Sequence, residues 1–118
     1  MDKPADWTTG QEWILYQLCG ACGKPQYFRR RFCAACSSTD LVEKRASGKG
    51  TVYATSVVMR AATPETRAHV PYNIVLVDTE EGFRMMAHGA VSLKIGDAVT
   101  ARFATFASRL VPYFENST

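Results

Sequence analysis

The chain has 118 residues, enough for one compact domain or a small domain with an appendage. Hydrophobic residues make up 47% and charged residues 21%, a globular balance that excludes a mainly disordered chain. Fourteen Lys and Arg against eleven Asp and Glu leave a net charge of +3, too small an excess to argue for nucleic acid by itself.

Apolar runs such as Ile74 to Val77 fall far short of the ~20 residues of a membrane-spanning helix. The opening Met1-Asp2-Lys3-Pro4-Ala5-Asp6 lacks the basic and then apolar pattern of an export signal. A cytoplasmic location with no membrane contact is therefore expected. Residues 1–18 read as an N-terminal arm that carries Trp7, Trp13, Ile14, Leu15, Tyr16 and Leu18. Alternation of Ile14, Tyr16 and Leu18 predicts a strand running into the first cysteine, with a short helix as the alternative.

Cys19, Cys22, Cys33 and Cys36 follow, in the spacing C-x2-C, ten residues, C-x2-C, and the rest of the chain has no cysteine. A C-x2-C turn places two thiolates on one side of a metal, and a second such turn completes a tetrahedron. Gly23 directly after the second cysteine lets the backbone turn sharply, and small residues occupy the same places after Cys36. Two disulfides would suit an exported chain, and a redox C-x-x-C would need a thioredoxin-like context and no second copy. The reading is a four-cysteine metal site, zinc ahead of a rubredoxin-type iron. A closed four-thiolate shell leaves no place for water, so such a metal holds a fold and does not catalyse.

Residues 19–46 thus form a zinc ribbon, with the aromatic run Gln26 to Phe32 predicted as a strand between its cysteine turns. Ser47-Gly48-Lys49-Gly50 reads as a linker or tight turn. Residues 47–118 read as all-β. The predicted strands are Thr51 to Met59, Tyr72 to Asp78, Phe83 to His88, Ala98 to Phe106 and Leu110 to Phe114. Ala61 to Pro71 reads as a loop, and Thr79-Glu80-Glu81-Gly82 as a hairpin turn with positive φ at Gly82. The expected fold is mostly β: an N-terminal four-cysteine zinc ribbon followed by a five-stranded OB-fold barrel.

No catalytic constellation is visible. Every cysteine is assigned to metal, no G-x-S-x-G, G-x-G-x-x-G or P-loop occurs, and Glu80-Glu81 reads as a solvated turn. His69 in the loop and His88 at a strand end read as structural residues rather than as bases. The chain is expected to have no catalytic residue of its own.

The basic excess is local. Residues 19–50 carry Lys24, Arg29, Arg30, Arg31, Lys44, Arg45 and Lys49 against Asp40 and Glu43, whereas residues 51–118 balance at six against six. Arg29, Arg30, Arg31 and Lys49, with Tyr27 and Phe28 beside the arginines, are the candidate contacts to a phosphorylated ligand such as coenzyme A, or to a partner. Single-stranded nucleic acid is the alternative partner, and a solvated strand with aromatics packed on the barrel is the plain reading. Four thiolates around one Zn²⁺ would take the net charge from +3 to near +1, poor equipment for tracking a polyanion.

The order of these motifs resembles the zinc-ribbon/OB-fold family known as domain of unknown function 35. The four cysteines are followed by Ser47-Gly48-Lys49-Gly50-Thr51-Val52-Tyr53, then the family's hydroxyl-rich strand to Val58 with Ala54 in place of the first hydroxyl residue. Pro71-Tyr72-Asn73-Ile74-Val75-Leu76-Val77 with the Glu81-Gly82 turn, and Ile95-Gly96-Asp97-Ala98-Val99, match later family runs. Of the family's Pro-Pro-Arg before the second cysteine pair only Arg30 remains, and the N-terminal extension is short. The resemblance spans roughly residues 12–115. It implies an accessory subunit of thiolase-fold enzymes in acyl-CoA or acyl-transfer chemistry, and less often of hot-dog-fold hydratases or aldolases. Such a subunit helps to assemble the complex or to hold a CoA-linked acyl substrate, with a structural zinc. The Arg-rich ribbon looks closest to subunits of bacterial acyltransferase complexes of the thiolase type.

Overall fold

Asp6 caps a 3-10 turn, Trp7–Thr9, in the computed structural model, which describes residues 6–60 and 63–117. The absence of an export signal was read largely from Met1 to Ala5, which lie outside the described residues, as do Ala61 and Ala62 of the expected loop. Three short strands follow: β1 (Leu15–Cys19), β2 (Pro25–Gln26) and β3 (Leu41–Arg45). They form an antiparallel sheet in the order β2-β1-β3, with Gln17 opposite both Gln26 and Glu43. The alternation that predicted a strand is confirmed, with Ile14 and Tyr16 buried on one face. At the open edge, β3 exposes Glu43, Lys44 and Arg45, charges that discourage pairing with another chain.

The strand expected over Gln26 to Phe32 is corrected to the two residues of β2; Tyr27 onward is irregular. Aromatic content suggested a ladder, but side-chain amides take the backbone instead. Gln17 donates to the Arg30 carbonyl (3.0 Å) and accepts the Arg30 N–H (2.9 Å). Gln26 donates to Gln17 Oε1 (2.8 Å) and accepts the Ala34 N–H (3.0 Å).

The barrel comprises β4 (Lys49–Val58), β5 (Tyr72–Thr79), β6 (Arg84–Gly89), β7 (Ala98–Phe106) and β8 (Arg109–Asn116). It closes in the order β4-β5-β6-β8-β7, with β4 pairing back on β7 and a parallel β6–β8 contact at His88–Tyr113. This is the five-stranded OB arrangement expected from the sequence. A register shift between Val52 and Ala54 lets the long first strand bend from one neighbour to the other. Gly82 has φ +101, as the hairpin required. The expected loop before β5 contains one helical turn, α1 (Pro64–Arg67), capped by Thr63. Pro64 opens this turn, because proline's fixed φ suits the first position of a helix.

Ribbon and barrel share one core. Ile14 and Tyr16 cluster with Val52, Val75, Val77, Phe83, Met85, Val99 and Phe114, most of them from the barrel wall. The Phe83 ring stacks on Tyr16 (centroids 4.9 Å) and lies nearly parallel to Tyr27 (5.6 Å, 3°), so one barrel residue meets two ribbon rings. Nearby, Glu81 Oε2 accepts the Ser47 N–H (2.7 Å) and ties the linker to the β5–β6 turn. Its other oxygen is buried without a hydrogen bond, and with burial it holds the Tyr16 phenol above its ordinary pKa.

Candidate metal centre and ligand groove

The four cysteine sulfurs lie within 4.8 Å of one another. Cys19 and Cys36 are 3.6 Å apart, as are Cys22 and Cys33. A tetrahedral four-thiolate zinc site, with Zn–S near 2.3 Å, has S–S edges of about 3.8 Å, so the donor set fits a soft tetrahedral metal. The first cysteine of each pair is buried and the second exposed. Amides of Ala21 and Cys22 point at Cys19 Sγ, and that of Ala35 at Cys33 Sγ (each 3.4 Å). These donors stabilise thiolate. The Cys22 amide foremost brings Cys19 down to about 6, and the Cys36 amide lowers Cys33. Cys36 is pushed up to about 12: the Ser38 amide opposes the rise, and the thiols of Cys19, Cys22 and Cys33 outweigh it. The position after each pair is left-handed, at Gly23 (φ +77) and Ser37 (φ +68), so the second turn holds without glycine the conformation that the first gives to one.

Beside the centre, a groove of about 500 Å³ runs between the 3-10 turn, β1 and the irregular segment. Its walls include Trp7, Tyr16, Tyr27, Phe28, Arg29 and Glu43. Trp7 donates through Nε1 to the Tyr27 hydroxyl (3.1 Å), and burial raises the Tyr27 phenol above its ordinary pKa. Phe28 packs edge-on to Tyr27 yet is 72% exposed, an apolar ring offered to a visitor.

The structure divides the six candidate contacts. Tyr27, Phe28 and Arg29 line the groove; Arg30 and Arg31 are exposed and outside its lining, and Lys49 opens β4 on the barrel. Arg29 forms an ion pair with Glu43, so its charge is already answered within the chain. Arg30 is held by its backbone through Gln17. Trp13 of the N-terminal arm carries the Arg45 guanidinium 3.7 Å above its ring. Sequence reasoning missed Gln17 and Gln26. The available signal was weak: one glutamine two residues before the first cysteine pair and another four residues after it.

Gln17 fixes the groove wall, which leads to an expected result. Gln17→Leu strands the Arg30 N–H and C=O, at a cost of about 1–3 kcal/mol. Thermal melts should show that loss, and amide exchange should accelerate at Arg30 while the barrel strands keep their protection. Unchanged exchange at Arg30 would refute this role.

Comparison with known proteins places the architecture. Residues 12–42 match the ChsH2 rubredoxin-like zinc ribbon domain, and residues 43–104 match the ChsH2 C-terminal OB-fold domain. The chain belongs to the ChsH2 zinc-ribbon/OB-fold family. A DUF35 domain-containing scaffold protein from Methanocaldococcus jannaschii is 37% identical over 68 residues, which is 57% of this chain and 48% of that protein. The chain thus matches about half the length of that relative. Among solved structures, an Ltp2–ChsH2(DUF35) aldolase superposes with a TM-score of 0.76 at 24% identity, covering 90% of this chain and 86% of that one. A DUF35-family protein of unknown function from Sulfolobus solfataricus gives 0.57 at 17%, covering 89% and 76%. Both structural likenesses speak to the fold. Among the described residues, no helix is long and apolar enough to cross a membrane.

Proposed function

We propose that this chain is a non-catalytic, cytoplasmic accessory subunit. It docks on a thiolase-fold enzyme of acyl-CoA or acyl-transfer chemistry and helps to assemble it or to hold its CoA-linked substrate. Cys19, Cys22, Cys33 and Cys36 hold one structural zinc, which fixes the ribbon and leaves the chemistry to the partner. The groove of Trp7, Tyr27, Phe28 and Arg29 carries this reading. Its exposed surface is mainly apolar and aromatic; Arg29 and Glu43 pair with each other, and Asp6 caps the 3-10 turn at its margin. A surface of that kind binds, through exposed aromatic and arginine anchors, rather than reacts. The scaffold name of the archaeal relative and the aldolase name of the solved one support an enzyme partner; the thiolase fold is the narrower expectation from the sequence resemblance.

Nucleic acid fits the barrel less well. The outward positions of β5 and β6 carry Ile74, Leu76 and Met86, and Arg84 there is paired with Asp78. A strand-binding face needs cations for phosphates.

Co-expression with a thiolase-fold protein from the same genome, chosen where one is encoded beside this chain, followed by size exclusion, tests the proposal. Co-elution is expected, with Phe28→Ala weakening the complex by roughly ten-fold or more. Neutralising Arg29, Arg30 and Arg31 together should weaken partner or CoA-ester binding. Separate elution, combined with salt-sensitive binding to oligonucleotides, would replace this reading with the nucleic-acid one.

A further inference from the structure

His69 and His88, nineteen residues apart in the chain, line one cleft of the barrel. His69 follows α1 and His88 projects from β6, and the Phe106 ring at the end of β7 lies between them, at 4.5 and 4.2 Å between centroids. Tyr72 stands edge-on to Phe106 (4.9 Å) and near His88 (5.8 Å). A cleft of about 200 Å³ opens against these rings, walled further by Val91, Val111 and Tyr113, with no Lys, Arg, Asp or Glu in its lining. Two ladder positions beside the cleft carry cations: Arg102, which stacks over Tyr113 and is paired with Glu115, and the exposed Arg109 opposite Phe106. With Phe106 between them, the two imidazoles do not converge on a common metal.

The loops beside this cleft, β4–β5 and β7–β8, are those with which OB folds hold ligands. The β7–β8 turn is a two-residue hairpin loop, with Ala107 (φ +49) and Ser108 (φ +67) both left-handed as tight hairpins of this kind require. That turn aims the Ala107 N–H at His69 Nε2 (3.2 Å), which must be bare to accept it. Burial, reinforced by His69, lowers the pKa of His88, so near neutral pH it is uncharged and offers one donor and one acceptor. An uncharged cleft, clustered rings and the hydrogen-bonding edge of His88 together mark a site.

We propose that this cleft binds a single planar nitrogen heterocycle of the purine type, adenine in particular. The clustered rings, tilted and edge-on to one another, offer apolar faces at the cleft wall, and the His88 nitrogens meet the alternating donor and acceptor of the adenine edge. A phenyl ring would leave those nitrogens unanswered. The volume lies below the ~300 Å³ at which clefts for drug-sized ligands begin, so one ring system enters and not a whole cofactor. The uncharged lining gives no grip on consecutive phosphates, so the ligand is one base-bearing molecule and not a strand. This assignment is independent of the ribbon groove and of the partner proposed for it.

Titration of the full-length, metal-loaded chain with adenosine, followed by NMR of the histidine ring protons, tests the proposal. Adenosine is expected to shift the His69 and His88 resonances saturably, with phenol and uridine at least ten-fold weaker. His88→Phe keeps a ring and removes the nitrogens, and should weaken adenosine binding about ten-fold, read from the remaining His69 signal. His88→Gln restores a donor and an acceptor and should recover part of that loss, which guards against a folding artefact in the first variant. Three results would each overturn the proposal: no shift with adenosine, equal binding of phenol, or both variants binding adenosine like the parent. Much tighter binding of a short oligodeoxyadenylate, per base, would also reject it in favour of strand recognition.

Discussion

Cys33→Ser is expected to strip the metal and melt the ribbon. Structural zinc contributes about 10–16 kcal/mol of apparent binding energy to small metal-dependent folds near neutral pH, and in them that energy is folding energy. The ribbon here has little else: three short strands, of which β3 is exposed along most of its length. Cys33 is buried and receives the Ala35 amide, so a serine in its place offers a poorer ligand in a site that cannot readily admit water. Metal analysis should fall from one zinc per chain to near zero, and amides of β1 should lose their protection. A chelator acting on the parent protein should reproduce the effect. The loss should spread, because Ile14 and Tyr16 complete the barrel's core. A mutant that stays fully folded without metal would contradict the structural role.

Phe83→Ala should cost about 3–5 kcal/mol, the usual range for deleting a buried phenyl ring. That is a large share of the roughly 5–15 kcal/mol by which domains of this size are stable. Phe83 is 5% exposed and carries the contact with Tyr16 and Tyr27, so the cavity would open where ribbon and barrel meet. The melting temperature is expected to fall by roughly 10–20 °C. Tyr27 would lose its stacking partner and with it the fixed wall of the groove. Partner binding should therefore weaken more in Phe83→Ala than in a barrel-core variant matched to it in measured loss of stability. Equal binding in both would show that the groove does not depend on this stack.

Legibility followed the range of the interactions. Alternating β-branched residues and the Glu81-Gly82 turn wrote the barrel strands into the sequence with end-points close to those observed, because strand pairing there follows local pattern. α1 escaped notice because a four-residue turn has no periodicity to detect. The segment after β2 defeated the aromatic signal, since Gln17 and Gln26 compete for its backbone across a distance that only the fold closes. The candidate contacts Arg29, Arg30, Arg31 and Lys49 looked alike as charges in a row. Pairing with Glu43, anchoring by Gln17 and placement on β4 then gave them different fates.

The mild positive charge of the chain is one more instance. By itself the sequence determined the metal-ligand set, the order of ribbon and barrel, and the family resemblance, because each rests on residue type and spacing along the chain. Only the tertiary structure decided that one core joins the two parts and that Trp7, Tyr27 and Phe28 wall a groove. It also decided that His69 and His88 flank a single phenyl ring. Those outcomes depend on side chains meeting from segments distant in sequence, where burial, stacking and ion pairing are settled by three-dimensional packing rather than by local pattern.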